Sequence, residues 1–511
     1  MNYVRESIII LMIIFIVYIC FHQLRKLYNL NKFFKNFPTP PAGLILGNAR
    51  ELSSTLSKYG THVGIYIIIL ALLATLHKYT KEHGSMVHIK LGPVGHMLLC
   101  SDYDFLEFLF SNNQLLKRPE DLKLLKPWLG NGLVLVNGEM WKAHRRLLNP
   151  FFSYKLLERF VYIFESANNI LVKILSKMVD SDNFDIYPYI RRCIFDIVCE
   201  SIMGIELDLQ NTETSHYFQS VKNICKIFMT RVTSMVKCYS FIHRFTKDYA
   251  IEQHSLKCLN DFTESVINKR REQLKKSRKA STSTGGIREK KVFLDLILES
   301  ADTLSYNEIK DEVNTLLFGG HDTTSAATSF ILFCLSNNKE AQNKILEEQR
   351  EIFGNVQDPD VTFASVQKMK YLDNVIKEGL RLYSPVPIFA REFDQEIQYN
   401  GMTIPKGVRL IVFAHGLHMN PKFYPDPEKF DPSRFENLEK RPFAFIPFGA
   451  GLRNCIGQKF AMLLIKSVVS KILRNFELSS AFPSHRMELV LETVLKSASG
   501  VKIGLKLRQN I

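Results

Sequence analysis

Nine cysteines are spread over 511 residues, and no two of them stand at C-x-x-C spacing. An odd number without paired spacing argues against a disulfide framework and against a zinc cluster, so most are expected to be thiols in a reducing compartment. No strand–GxGxxG–helix unit is present, which leaves no flavin or nicotinamide domain to be read from the chain. Internal repeats and regular alternation of helical and strand-like segments are missing too, against solenoids and doubly wound parallel sheets. Acidic residues are the minority: 66 Lys+Arg against 51 Asp+Glu leave a net charge of +15. An anionic partner follows: nucleic acid, a phospholipid surface or an acidic protein. With 46% hydrophobic residues the chain can bury a large core, so global disorder is excluded.

The charge is localised. The segment KRREQLKKSRKASTSTGGIREKK, residues 269–291, carries a net +8, and residues 25–35 carry +4 with no acid. No aromatic residue is interleaved in the first segment, so nucleic acid is not the expected partner. It reads as a solvated loop after a helix, and both patches suit an anionic membrane surface.

Apolar runs are few. Ile8 to Phe21 forms fourteen consecutive apolar residues, short of a ~30 Å hydrocarbon core at about 1.5 Å per residue. His22 to Leu24 can lengthen it, and Arg25 and Lys26 can snorkel to the headgroups. A cleaved signal peptide competes with this reading, but no A-x-A-like site follows the run. Residues 1–35 are therefore expected to be an uncleaved single-pass signal-anchor and its basic flank. The remainder would face the cytosol from the endoplasmic reticulum membrane. FPTPPAGLILGN (37–48) is expected to act as a stiff hinge. The run VGIYIIILALLATL (63–76) could be a core helix, a segment dipping into the membrane, or a second span that inverts the topology. A core or surface-dipping helix is the reading preferred, because a further span would put everything downstream in the lumen.

Beyond Gly92 helix-period segments dominate, as in 160–179 and 460–473, with short strand-like pieces between them. The fold class expected is mainly α with small β-sheets. The most informative segment is PFGAGLRNCIG, Pro447 to Gly457. Cys455 precedes an amphipathic helical pattern, so it sits where free amides and the helix dipole favour a thiolate. Gly449, Gly451 and Gly457 permit tight turns and close approach to a flat surface. A lone cysteine at a helix start is more often a structural thiol. Here Phe448, Gly451, Arg453, Cys455 and Gly457 stand at the spacing of a haem-thiolate loop, and the chain resembles a cytochrome P450.

Other motifs agree, in the family's order. EGLR (378–381) is similar to the Glu-x-x-Arg helix, and Arg434 in FDPSRF completes a buried network that the resemblance makes structural. WKAHR resembles Trp-x-x-x-Arg, so Trp141 and Arg145 are expected to hold haem propionates, helped by Arg391 and Arg453, because a guanidinium pairs bidentately with carboxylates. LLFGGHDTTSAA (316–327) resembles the central helix over the distal face of the haem. Two glycines inside a helix cost about 2 kcal/mol relative to alanine, and an Asp-Thr-Thr cluster adds hydroxyls that back-bond and bend it. The resemblance gives Gly319 and Gly320 the task of leaving room for dioxygen, and Asp322 and Thr323 that of relaying protons. Residues 36–511 are read as one large haem domain, with haem b bound through Cys455 as the metal ligand and Phe448 beside it.

The wording around these motifs resembles the family-4 branch, whose members often hydroxylate fatty acid-like chains. Many of them carry glutamate where this chain has Gly319, and some use it for an ester to the haem. Here the haem is expected to be held non-covalently apart from the Cys455–iron bond, and strict terminal-carbon selectivity is not implied. The resemblance implies a monooxygenase that inserts one oxygen atom of O2 into a C–H bond of a lipophilic substrate. Its electrons would come from NADPH through a separate membrane-bound NADPH–cytochrome P450 reductase, with cytochrome b5 as a further partner. Lys142, His144, Arg146 and Lys459 are expected to meet the acidic surface of the reductase. The substrate is expected to touch residues 105–135, 210–245 and 385–390. Two alternatives are less consistent with the intact Asp322–Thr323 pair: a haem-thiolate peroxide isomerase or dehydratase without a redox partner, and a non-enzymatic haem or lipid carrier.

Overall fold

A computed structural model describes residues 25, 28–42, 48, 66–91, 95–112, 116–212, 215–234, 237–281, 292–299, 304–356, 359, 361–436 and 441–508. The apolar run 8–21 and most of the basic loop after residue 281 lie outside these residues. The longer helices are α1 (Tyr66–His83), α2 (Tyr103–Ser111), α3 (Gly138–Leu148), α4 (Tyr154–Leu175), α5 (Tyr187–Val198) and α6 (Ser215–Thr233). They continue with α7 (Lys247–Ser281), α8 (Tyr306–Ser336), α9 (Lys339–Phe353), α10 (Lys370–Leu382) and α11 (Gln458–Asn475). The fold is mainly helical with small sheets, as the sequence pattern implies.

The largest sheet joins β1 (Met86–Lys90), β2 (His96–Cys100) and β3 (Leu116–Lys117) to two strands from the second half of the chain. Before those strands comes β4 (Phe184–Asp185), which belongs to another sheet. The two are β5 (Phe389–Phe393) and, past the hairpin β6 (Ile397–Tyr399)–β7 (Met402–Ile404), β8 (Arg409–Val412). The order is β1-β2-β8-β5-β3, with β2 and β8 parallel and the other pairs antiparallel. β9 (Phe476–Ser480) and β12 (Lys502–Leu507) form a three-stranded sheet with β4, and β10 (Leu489–Leu491) pairs with β11 (Leu495–Ser497).

At the centre runs α8. A capping box starts it: the Ser305 hydroxyl accepts from the Glu308 amide, and the Glu308 carboxylate accepts from the Ser305 amide at 2.8 Å. Its 31 residues span roughly 46 Å at 1.5 Å per residue, and most are buried against α5, α10 and α11. A helix enclosed on all sides needs no polar face, which is why it tolerates an apolar run with glycines in the middle.

The second apolar run enters α1, whose Leu73, Leu76 and Tyr79 are buried in the main core. α1 packs on β10 and β1, which fits the core-helix reading. Among the described residues no helix is long and apolar enough to cross a membrane. The proline-rich stretch is pinned at its start, not free: the Pro38 carbonyl accepts from the His88 amide at 2.9 Å, and Thr39 Oγ1 lies 3.0 Å from His88 Nδ1. Phe33 and Phe34, which the sequence places in the basic flank, are buried beside the large sheet, with Phe34 stacked on His88 at 4.4 Å. The +4 patch thus includes residues that belong to the folded body.

Behind the site, Glu378 and Arg381 on α10 are fully buried. Arg381 donates through Nε and Nη2 to the two carboxylate oxygens of Glu378 at 2.7 and 2.8 Å. Arg434 Nε lies 3.5 Å from Glu378, and the Asp431 amide donates to it at 2.9 Å. This is the three-residue network expected from EGLR and FDPSRF.

Candidate active site

Two glycines shape the loop that carries Cys455. Gly449 and Gly451 have φ of 69° and 68°, the left-handed region where a side chain is strained. A Cβ at Gly451 would also meet the Phe110 carbonyl oxygen at 3.1 Å. The turn closes with the Cys455 amide donating to the Phe448 carbonyl at 2.8 Å, and α11 begins three residues after Cys455. Cys455 is exposed and lines a cavity of about 320 Å³, which Phe448 and Gly449 also line.

The amides at the helix start favour the Cys455 thiolate, as the sequence implies, but they are opposed. Burial pushes the thiol above the ordinary value. The amides of Gly457 and Gln458 and the guanidiniums of Arg145 and Arg118 pull the other way without offsetting that. A bound metal cation would add to the pull of the amides, since a coordinating thiol is deprotonated outright.

α8 supplies another part of the wall through Gly319, Gly320 and Thr323. A Cβ at Gly319 would meet no atom within 4 Å, so its absence leaves open space. Thr323 Oγ1 donates to the Gly319 carbonyl at 2.7 Å, the back-bond to the preceding turn. Asp322 is not on this wall. Neighbouring helix positions point about 100° apart, and Asp322 is buried on another side, with Lys496 Nζ at 3.1 Å and Tyr187 donating at 3.4 Å. Burial pushes its carboxyl up, but Lys496, His321 and Arg191 together hold it below the usual carboxylate range. The structure thus separates the acid and the alcohol that the sequence reading paired. His321, between Gly320 and Asp322, is pushed down to about 4 by burial and lies against Phe195.

Four arginines line the cavity: Arg118, Arg145, Arg391 and Arg453. Arg145 donates through Nη1 and Nη2 to the carbonyl and side-chain oxygens of Asn454, both at 2.8 Å. Arg453 donates to Asn137 Oδ1 at 2.6 Å and to the Val136 carbonyl at 2.7 Å, and lies over the Trp141 ring at 4.8 Å. Arg391 is buried, and among the described residues its guanidinium donates to the adjacent Ala390 carbonyl alone. Among the described residues no aspartate or glutamate lines the cavity. Burial and mutual repulsion depress these groups: Arg453 falls to about 9, and Arg391 falls well below the guanidinium range. Nε of Arg118 and of Arg453 is buried without a hydrogen-bond partner. Clustered cations with orphaned donors fit a group that brings two carboxylates, as the two propionates of haem b do.

Arg118 was missed by sequence reasoning. It precedes Pro119 in an otherwise unremarked stretch, and no local motif marks it. Of the residues in the expected substrate ranges, Arg118, Leu133, Val134, Pro385, Val386 and Phe389 do line the cavity, but no described residue of 210–245 does; Ser201 and Ile202 line it as well. The reductase-facing set needs a correction. Lys142, Arg146 and Lys459 are exposed, but His144 is 4% exposed and its Nδ1 lies 2.6 Å from Glu312 Oε1 on α8. On α3 it is four residues from buried Leu148, and so on the inner stripe.

Comparison with known proteins agrees with this geometry. The cytochrome P450 family model matches residues 68–503. Probable cytochrome P450 4s3 of Drosophila melanogaster is 35% identical over 507 residues, which cover 96% of this chain and 97% of the relative. Cytochrome P450 4V2 of Mus musculus is 36% identical over 447 residues, and that of Homo sapiens 34% over 444, each covering 84% of both chains. The chain belongs to the cytochrome P450 family, whose haem b is bound through a cysteine thiolate and whose members act as monooxygenases.

Proposed function

We propose that this protein is a reductase-dependent monooxygenase of lipophilic substrates, fatty acid-like or xenobiotic, that works at the endoplasmic reticulum membrane. The observation that carries the reading is the single cavity bounded both by Cys455 and by Gly319, Gly320 and Thr323. Haem b, when bound through Cys455, supplies the activation of dioxygen. Arg118, Arg145, Arg391 and Arg453 would neutralise its propionates, Trp141 would back Arg453, and Phe448 would cover the thiolate side. Thr323 would hold a water for proton delivery once its hydroxyl turns from Gly319. Asp322 would feed protons to that water after leaving Lys496. Leu133, Val386 and Phe389 offer an apolar surface that excludes water and suits an alkyl chain. Gly319 leaves no side chain for an ester, in keeping with non-covalent haem.

Membrane attachment through residues 8–21 rests on the sequence, with residues 1–35 as anchor and flank. Exposed Tyr239, Phe241 and Phe245 beside Arg244 and Lys247 support lipid contact by the folded body as well. NADPH–cytochrome P450 reductase is the proposed electron donor, with cytochrome b5 as a second partner.

The test is the optical spectrum of the reduced, carbon-monoxide-bound protein, followed by turnover with purified reductase and a lipid panel read by mass spectrometry. Wild type should show the thiolate-ligated signature, Cys455→Ser should lose it, and Thr323→Ala should divert NADPH to peroxide. Product formation from lipid hydroperoxides alone, with none from NADPH and reductase, would overturn the proposal.

A further inference from the structure

α3 presents three stripes, each spaced four residues along the helix. Trp141 and Arg145 line the cavity, Lys142 and Arg146 are exposed, and His144 and Leu148 face inward. The inner stripe carries the unexplained feature, an imidazole and a carboxylate buried together at 2.6 Å. Glu312 is fully buried, one turn before Thr315 and two turns before Gly319, both on the cavity wall. The contact therefore ties the helix that presents Trp141 and Arg145 to the helix that presents Gly319 and Thr323.

Its charge state is set by the surroundings. The hydrogen bond to Glu312 pushes His144 above the ordinary histidine value of 6.5, against its burial, and Glu308 and Asp311 on α8 add to the effect. Asp311 is itself bonded to the Asn131 amide at 2.7 Å. Burial pushes Glu312 up, while His144 and the Leu133 amide favour its carboxylate. Of the cations on the same two helices, Arg145 is turned to Asn454 and Asn149, Lys142 is paired with Glu139 and Lys310 with Glu264, so the bonded partner of the imidazolium is a carboxylate. A neutral hydrogen bond would pack as well; a charged pair is stiffer and more directional, and its strength depends on pH.

We propose that His144 and Glu312 are positioning residues, a charged strap that fixes the rotation and height of α3 on α8 and thereby the retention of haem by Trp141 and Arg145. This rests on the reading of Trp141 and Arg145 as haem contacts. The sign follows from His144. A group whose pKa is raised on folding stabilises the structure fully below its unfolded value and loses that contribution as pH rises through the folded value. Above that pH the ring is neutral, the buried carboxylate loses its counter-charge, and α3 loosens.

The experiment is haem transfer from the full-length protein to excess apomyoglobin, followed by absorbance across neutral to alkaline pH. It compares wild type, His144→Gln, Glu312→Gln, the double Gln variant and Arg145→Met. The double variant buries a neutral, similarly shaped pair, so it should fold even where a single variant strands a charge. Wild type should release haem slowly near neutrality and faster as pH rises above 6.5. The double variant should release it about tenfold faster at neutral pH, a change of about 1.4 kcal/mol, and should lack the alkaline rise. A double variant with the wild-type rate and the wild-type alkaline rise would overturn the strap. If Arg145→Met also released haem no faster than wild type, the reading of the arginine as a haem contact would fall and take the strap with it. Faster release from Arg145→Met with an unchanged double variant would remove the strap alone.

Discussion

Lys496 Nζ lies 3.1 Å from Asp322 and 3.3 Å from Glu492, so one half-buried lysine is shared by two buried carboxylates. Asp322 can leave this lysine without stranding its charge, because Glu492 stays in place. Parting Asp322 from Lys496 therefore costs less than breaking an isolated buried ion pair would.

The first prediction follows from that sharing. Asp322 is held below the ordinary carboxylate range, so its contribution to stability is present above the unfolded pKa and lost as pH falls through the folded one. In Lys496→Met burial remains and the strongest counter-charge is gone, so the carboxyl of Asp322 climbs. Thermal unfolding measured from pH 4 to 8 should show the variant destabilised by about 3 kcal/mol near neutrality, with the gap narrowing toward acid. Asp322→Asn in the same background should restore most of the loss. A gap that widens toward acid would show that Lys496 does not support the ionised carboxylate.

The arginine cluster gives a prediction whose sign differs between two states of the same protein. Arg118 repels Arg391 and Arg453 across a cavity that no described carboxylate lines. Arg118→Met should stabilise the haem-free protein, on the order of 1 kcal/mol at an effective dielectric near 20. If Arg118 is one of the donors to the propionates, as proposed, the variant should weaken haem retention by a similar amount. Unfolding curves with and without haem check this, and the same sign in both states would remove Arg118 from the cradle.

Much of this site was legible from short segments. The Cys455 loop, the Glu378–Arg381 pair and the Trp141–Arg145 spacing each work through residues within one or two helical turns, and local spacing reports such contacts directly. The rest depended on partners far away in sequence. Nothing near Asp322 announces Lys496, and nothing near Arg118 announces Arg391, because the fold alone brings them together. His144 was readable and was misplaced. Grouping it with basic neighbours put it on the surface, whereas its four-residue spacing to Leu148 puts it on the buried stripe. The thiol of Cys455 shows a different limit: its helix-end position was right, but the sequence could not weigh burial against the amides.

A third prediction concerns the network behind the site. The Glu378 carboxylate accepts from Arg381 twice and from the Asp431 amide, with both side chains of the pair fully buried. Glu378→Gln leaves a buried guanidinium without its counter-ion, at a cost of about 3–5 kcal/mol. That is a large share of a stability of roughly 5–15 kcal/mol, so soluble yield and haem content should fall together. Arg434→Leu removes a contact at 3.5 Å from a less buried side chain and should cost less. Equal losses from the two variants would show that Arg381 is not the residue that Glu378 serves.

The outer stripe of α3 carries the last prediction. Lys142 and Arg146 are exposed and sit beside Leu452, an exposed leucine three residues before Cys455. An apolar tip ringed by cations next to the thiolate loop suits an acidic electron donor, because charge sets the encounter rate and the tip sets the contact. Lys142 is already bridged to Glu139 at 2.7 Å on the same surface, so its field is partly cancelled. Arg146→Glu should therefore slow reductase-driven turnover more than Lys142→Glu, by about tenfold at low ionic strength, and the deficit should close as salt rises past a Debye length of about 10 Å at 0.1 M. Turnover supported by added peroxide needs no donor and should be unchanged in both variants. His144→Gln should show no such salt dependence, because the imidazole never reaches that surface. If Arg146→Glu slowed peroxide-supported turnover as much as reductase-driven turnover, its effect would lie in the haem site and the outer stripe would not be the docking face.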